Sequence, residues 1–219
     1  MQRPSVLRLV LAVSLDGRLA PSSGGVAQLG GAGDRHVLEQ ALAWSDAVLI
    51  GAGTLRAHRC TCLIHEQQLL AQRKQDGKPL QPTALVVSRR PDFCLEWPFF
   101  QQKIERHLLT PDRVSVEGFS VIHPLQASWE TTFVELAALG FHRLVLLGGA
   151  GLCGSLLEAD RVDELQLTLS PCLLGGRFSW IPIDGFSMPT ALSQPDAWTL
   201  LSADRLSGNE LVVRYGRSR

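Results

Sequence analysis

An excess of charge of either sign is missing from this sequence: 21 lysines and arginines face 21 aspartates and glutamates, a formal net charge of zero. That balance favours neither nucleic acid nor an anionic membrane surface as a partner. Long apolar runs are missing too. The apolar segment near the N-terminus is far shorter than a bilayer-spanning helix, and Arg8 and Asp16 stand where a signal peptide would carry its apolar core and cleavage site. No membrane span is expected, and the protein reads as cytoplasmic. There is no disulfide framework either, because five cysteines without paired spacing suit a reducing compartment. Trp44, Trp97, Trp129, Trp180 and Trp198 are scattered and read as packing. No internal repeat is visible, and the stretch from Gln75 to Gln81 is a polar loop. What is present, 45% hydrophobic and 19% charged residues over 219 positions, can bury one sizeable core, so a single domain over 1–219 is expected.

Apolar runs alternate with segments of helical period. The runs predict strands near 7–14, 46–51, 83–88, 106–110, 114–122, 142–147, 162–169, 197–205 and 210–216, and the period predicts helices near 34–44, 64–74, 128–139 and 151–158. Asp34 can cap the first helix, whose apolar face carries Val37, Leu38, Ala41 and Leu42. The helix that starts at Ser128 should stop at Gly140, and Ser207-Gly208 signals a hairpin between the last two strands. The expected fold class is α/β, a mostly parallel twisted sheet flanked by helices with an antiparallel C-terminal hairpin. Such sheets bind ligands at the carboxyl ends of their strands.

The run from Leu144 to Leu147 breaks at Gly148-Gly149-Ala150-Gly151 and resumes at helical spacing from Leu152. It reads as strand, glycine turn, helix. Two residues without a Cβ permit a sharp turn and let a bulky anion approach the N–H groups that open the helix, although glycine also serves simple tight connections. Other strands end in comparable punctuation. Leu9 to Ser14 runs into Leu15-Asp16-Gly17-Arg18, Asp46 to Ile50 into Gly51-Ala52-Gly53-Thr54, and Ala84 to Val87 into Ser88-Arg89-Arg90. Val162 to Leu165 leads on to Ser170-Pro171-Cys172-Leu173-Leu174-Gly175-Gly176. In order and spacing these segments resemble the reductase domain of the riboflavin biosynthesis deaminase/reductase family, over residues 5–216.

The resemblance implies a dihydrofolate-reductase-like fold and a 5-amino-6-(5-phosphoribosylamino)uracil reductase activity, in which NADPH gives a hydride to the sugar-derived carbon of a phosphorylated pyrimidine. It also implies a homodimer. A nicotinamide performs the difficult step itself, so the protein has mainly to hold two ligands face to face and exclude water, which fits the lack of an obvious triad. By the same resemblance Gly148, Gly149, Ala150, Gly151 and Leu152 hold the cofactor's pyrophosphate, Gly51 and Thr54 form a second cofactor turn, and Ala12 lies beside the nicotinamide. Ser88, Arg89 and Arg90 offer a hydroxyl and two guanidiniums suited to a 2′-phosphate, or form a solvated loop. Asp16 is either a turn residue bonded to nearby backbone N–H groups or a substrate contact.

Several positions depart from the family pattern. Leu147 stands where a glutamate usually contacts the substrate, Leu42 where an arginine contacts its phosphate, and Gln28-Leu29-Gly30 where W-I-S or W-I-T is usual. After Thr54 an acidic residue, Asp or Asn, and Pro are replaced by Leu55-Arg56-Ala57-His58-Arg59-Cys60. Either Arg56, His58 and Arg59 rebuild an anion site from another direction, or the substrate differs. The alternative to a reductase is a non-catalytic relative that keeps the nucleotide site. His58, Cys60, Cys62 and His65 are possible zinc ligands, but one short loop seldom wraps a tetrahedron unaided, so no metal is expected and Cys60, Cys62 and Leu63 are read as an apolar seam. Cys94, Cys153 and Cys172 are expected in the core.

Overall fold

The computed structural model describes residues 5–25, 27–112, 115–181 and 185–219. In chain order the elements are β1 (Val6–Ser14), α1 (Ala32–Trp44), β2 (Ala47–Gly51), α2 (Ala52–His58), α3 (Gln67–Gln75), β3 (Thr83–Val87), α4 (Pro98–Gln101), β4 (Arg106–Thr110), β5 (Val121–Pro124), α5 (Trp129–Ala138), β6 (Arg143–Leu146), α6 (Ala150–Glu158), β7 (Glu164–Ser170), β8 (Trp198–Arg205) and β9 (Leu211–Arg217). They fall into two compact units, one of Ser5 with residues 39–145, the other of residues 6–38 with 146–219. Among the described residues no helix is long and apolar enough to cross a membrane.

In the first unit the strand order is β5-β4-β3-β2-β6, and β2 to β5 pair in parallel. All of β2 is buried, the condition that turns a parallel strand into a continuous Val, Leu and Ile run. Helix α5 begins where Ser128 Oγ accepts the Thr131 N–H at 3.2 Å and ends before Gly140, at φ 90°. Phe93, Trp97, Phe100 and Phe119 make an aromatic cluster beyond β3.

Two helix ends in this unit are closed by buried charges from elsewhere in the chain. Glu39 Oε2 accepts the N–H groups of His65 and Glu66 at 2.7 and 2.8 Å, at the start of α3. Arg73, 1% exposed, donates to the carbonyls of Leu42, Ala43 and Ser45 at 3.2, 3.0 and 2.6 Å, closing the C-terminus of α1, and to Pro79 at 2.7 Å.

In the second unit the order is β1-β7-β9-β8, with β1 and β7 parallel and β9 antiparallel to both its neighbours. The C-terminal hairpin forms as expected, turning through Gly208 at φ 75°. Strand β7 alternates Leu165, Leu167 and Leu169 with buried Gln166, Thr168 and Ser170. The polar row is satisfied in part by α1, since Gln166 Nε2 donates to the Val37 carbonyl at 3.2 Å.

Each expected strand has a counterpart, but that placed at 114–122 starts at Val121; residues 113 and 114 lie outside those described. Helix α1 opens at Ala32, so Asp34 lies within its first turn and does not cap it. The capping acceptor is Glu210, which takes the Gly31 N–H at 2.6 Å and the Asp34 N–H at 3.3 Å. Helix α3 starts at Gln67 instead of 64 because the Ile64, His65 and Glu66 amides bond to Gln81 and Glu39. Helices α2 and α4 were not anticipated; the glycines of Gly51-Ala52-Gly53-Thr54 made a helix start look like a turn. Cys60, Cys62 and Cys94 are exposed, Cys172 is half-buried and Cys153 is buried, so the loop after α2 is anchored by Thr61 and Ile64 and not by a cysteine seam.

Replacing Arg73 with Met keeps the apolar bulk but leaves four carbonyls short of a charged donor. Loss of hydrogen bonds to one buried charged group costs about 3 kcal/mol or more. Arg73→Met should lower the urea midpoint accordingly without changing the slope of the transition.

Candidate functional site

Strand β6 runs into Gly148 and Gly149, at φ 99° and 97°, a region L side chains rarely adopt. A Cβ at Gly148 would also approach Leu11 Cδ2 to 3.0 Å. Gly149 is the N-cap of α6, no side chain caps that end, and the first turn carries no acidic residue. Ala150, Gly151 and Leu152 therefore present N–H groups at a helix terminus whose dipole favours an anion. Gly151 is exposed and Ala150 and Leu152 are half-buried, so the terminus is open to a ligand.

At the carboxyl end of the same unit, Ser14 ends β1 opposite Ser170, which ends β7. Ala12 is half-exposed between buried Leu11 and Val13, a gap in the cover of an inner strand. Beyond Ser14 the S-L-D-G turn leans on the loop after β7. Asp16 Oδ1 accepts from the Ser14 hydroxyl at 2.5 Å and the Leu174 N–H at 3.1 Å, and Oδ2 accepts the Gly175 N–H at 2.8 Å. Arg18 Nε stands 3.7 Å from Oδ2. The Ser14 hydroxyl, then the two loop amides, pull the Asp16 carboxyl down to about 2. The amides come from a loop distant in sequence, where the turn reading expected those of nearby backbone.

In the first unit Gly51 is paired with Val87, so the start of α2 and the loop after β3 emerge side by side. Gly51 caps α2, and Ala52 to Thr54 form its first turn. Ser88 is buried, and its Oγ accepts the Arg90 N–H at 3.1 Å, which shapes the turn that carries exposed Arg89 and Arg90. Gly51, Thr54, Ser88 and Arg89 are thus brought together. Arg56, His58 and Arg59 lie toward the other end of α2, up to about 10 Å along its axis. Arg56 bonds to the Arg90 carbonyl at 2.8 Å and to Asp92, and stacks 5.2 Å over the Phe93 ring. The side chains of His58 and Arg59 are exposed and have no bonded partner among the described residues. Leu42 is fully buried and Leu147 half-buried. Among the described residues no group of three or more His, Cys, Asp or Glu could hold a metal ion.

A family model for the RibD C-terminal domain matches residues 5–206. The chain belongs to the RibD C-terminal domain family. A similar relative is a 2,5-diamino-6-ribosylamino-4(3H)-pyrimidinone 5′-phosphate reductase of Archaeoglobus fulgidus, 29% identical over 188 residues that cover 81% of this chain and 85% of the relative. Among solved structures, RibD of Acinetobacter baumannii superposes with a TM-score of 0.80 at 22% identity over 99% of this chain, which spans 59% of that longer one. Dihydrofolate reductase of Enterococcus faecalis, solved with NADP(H), gives a TM-score of 0.54 at 16% identity, covering 98% of this chain and 97% of the enzyme. These two likenesses establish the fold of this RibD C-terminal domain, a mostly parallel sheet with helices and an antiparallel C-terminal hairpin, similar to dihydrofolate reductase.

Ser14, Thr168 and Glu210 do not stand out by spacing, and Asp34 by its position resembles a cap that the structure supplies from Glu210. One signal was legible, the alternation of Gln166, Thr168 and Ser170 with leucines in a strand too apolar for an edge. A carboxylate with a lowered pKa stabilises above the ordinary carboxylate range and loses that contribution as pH falls toward about 2. Asp16→Asn should speed hydrogen exchange at the Leu174 and Gly175 amides at neutral pH. The difference from wild type should fade as the pH is lowered toward about 2.

Proposed function

We propose that residues 1–219 act as one NADPH-dependent reductase domain of the riboflavin pathway, reducing a ribosylamino pyrimidine 5′-phosphate at the sugar carbon that carries the amine. The observation that carries this reading is the pair of positive-φ glycines before the uncapped α6, in a chain of the RibD C-terminal domain family. When bound, the reduced nicotinamide supplies the hydride; the chain supplies binding, orientation and a dry surface. Gly148 to Leu152 fit the pyrophosphate because Gly148 and Gly149 hold positive φ values that reserve the turn for glycine, and the helix start has no side-chain cap. Gly51, Thr54, Ser88 and Arg89 are assigned to the cofactor's second half, with the exposed Arg89 and Arg90 on its 2′-phosphate. His58 and Arg59, with Arg56 held by Asp92, are assigned to the substrate's phosphate.

The burial of Leu42 favours a second reading, a relative that has kept the nucleotide site and lost the usual substrate contacts. Turnover separates the two, because only the first oxidises NADPH when the pyrimidine phosphate is added.

NADPH should raise the melting temperature more than NADH does, and at a hundred times its dissociation constant the gain is about 2.7 kcal/mol. Gly149→Val should abolish the shift while the circular dichroism of the free protein stays native-like. A normal shift in that variant would move the cradle elsewhere. Arg89→Ala with Arg90→Ala should weaken NADPH by roughly ten- to a hundredfold, as expected for lost charge-assisted bonds, and leave NADH unchanged in a direct titration.

A further inference from the structure

Asp34 opens α1 without capping it, and its carboxyl group folds back toward the preceding turn. A Cβ at Gly30 would stand 2.2 Å from Asp34 Oδ2, so the carboxyl occupies the volume that a side chain at position 30 would fill. This is the last residue of Gln28-Leu29-Gly30, the segment that departs from the family pattern. On the sheet side the carboxyl is hydrogen-bonded to the Thr168 hydroxyl. Thr168 is buried and is the register partner of Ala12, and residues paired in this way project from the same face. Asp34 is therefore set beside the gap over β1, and it is itself half-exposed, within reach of a ligand.

A second carboxylate faces it. Glu210 is 4% exposed and is fixed by the Gly31 and Asp34 N–H groups. Two neighbouring carboxylates at a partly buried helix start do not ionise independently. Burial first, and the Glu210 charge in addition, push the Asp34 carboxyl up against the opposing pull of Thr168. The other polar residues of β7 on this face, Gln166 and Ser170, are uncharged. Glu164 is ion-paired with both Arg8 and Arg214 at the opposite end of the same ladder. Arg35 and His36, next along α1, are exposed.

We propose that Asp34 is the proton donor of the reaction, its carboxyl held by the Thr168 hydroxyl and its backbone N–H by Glu210, where the nicotinamide and the substrate would meet at Ala12. The proposal rests on the reductase reading above. A bound reduced nicotinamide would supply the hydride for a new C–H bond at the amine-bearing sugar carbon, as the bond from that carbon to the ring oxygen breaks. The carbon is reduced and the nicotinamide oxidised. The ring oxygen leaves with the bonding pair and takes the proton from the Asp34 O–H, and the resulting carboxylate is reprotonated from solvent. A general acid must keep its proton until the transition state, and burial beside Glu210 moves the Asp34 carboxyl in that direction.

The test compares wild type, Asp34→Asn and Glu210→Gln with NADPH and a ribosylamino pyrimidine 5′-phosphate. Asp34→Asn should lower kcat by about 10²–10⁴-fold, the usual contribution of a positioned acid, abolish the alkaline limb of its pH profile and leave the NADPH-induced melting shift intact. Glu210→Gln should move the alkaline limb of the wild-type profile to lower pH, because removing a neighbouring negative charge lets Asp34 ionise sooner. In the free protein, a carboxyl with a raised pKa weakens the fold once ionised, so the melting advantage of Asp34→Asn over wild type should grow as pH rises and vanish in acid. An active wild type whose Asp34→Asn variant keeps its kcat and its alkaline limb overturns the donor role, as does a melting difference that ignores pH. A wild type that never oxidises NADPH with this substrate overturns the reductase reading, and the donor role with it.

Discussion

The parallel register of β1 on β7 governs the second unit. Leu9 lies against Leu165 and Ser14 against Ser170, so the two strands finish level and the turns that follow them emerge together. Only then can Asp16, two residues past β1, take the amides of Leu174 and Gly175, which follow β7. A slip of one residue would exchange the polar and apolar faces of β7 and remove Thr168 from the side of Ala12. The S-L-D-G and P-C-L-L-G segments therefore act as two halves of one clasp, which explains why they occur together in a single chain.

Helix ends in this protein depend on charges supplied from a distance. Glu210 closes the start of α1, Arg73 its end, and Glu39 the start of α3. A distant cap ties secondary to tertiary structure, because the helix end is satisfied only once the partner element has docked. Helix α6 differs. Its N-terminus has neither a local nor a distant side-chain cap, so its amides stay available to an anion. The short helices α2 and α4 likewise start without a side-chain cap, and of these α2, like α6, follows a glycine at the carboxyl end of a strand.

Glycine at position 30 leaves room for the carboxyl of Asp34, Leu42 is fully buried, and basic residues gather at the end of α2. Arg56 illustrates the limit of counting charges. Its guanidinium is bonded to Asp92 and stacked on Phe93, so packing accounts for much of what a charge count would assign to a ligand.

The sequence by itself determined the inner parallel strands such as β2, because a parallel strand buried on both faces must be a continuous apolar run, and it determined the turn at Gly148-Gly149, because both residues take φ values that other residues avoid. It also determined the stop at Gly140 and the hairpin through Gly208, which are local matters of backbone freedom. The short helix α2 was hidden because glycine and alanine allow a turn and a helix start alike. The partners of the buried charges were left to the tertiary structure. That Asp34 meets Thr168 and Glu210, 134 and 176 residues further along, or that Asp16 holds a loop 158 residues away, depends on strand register and helix docking, and neither is encoded in spacing along the chain.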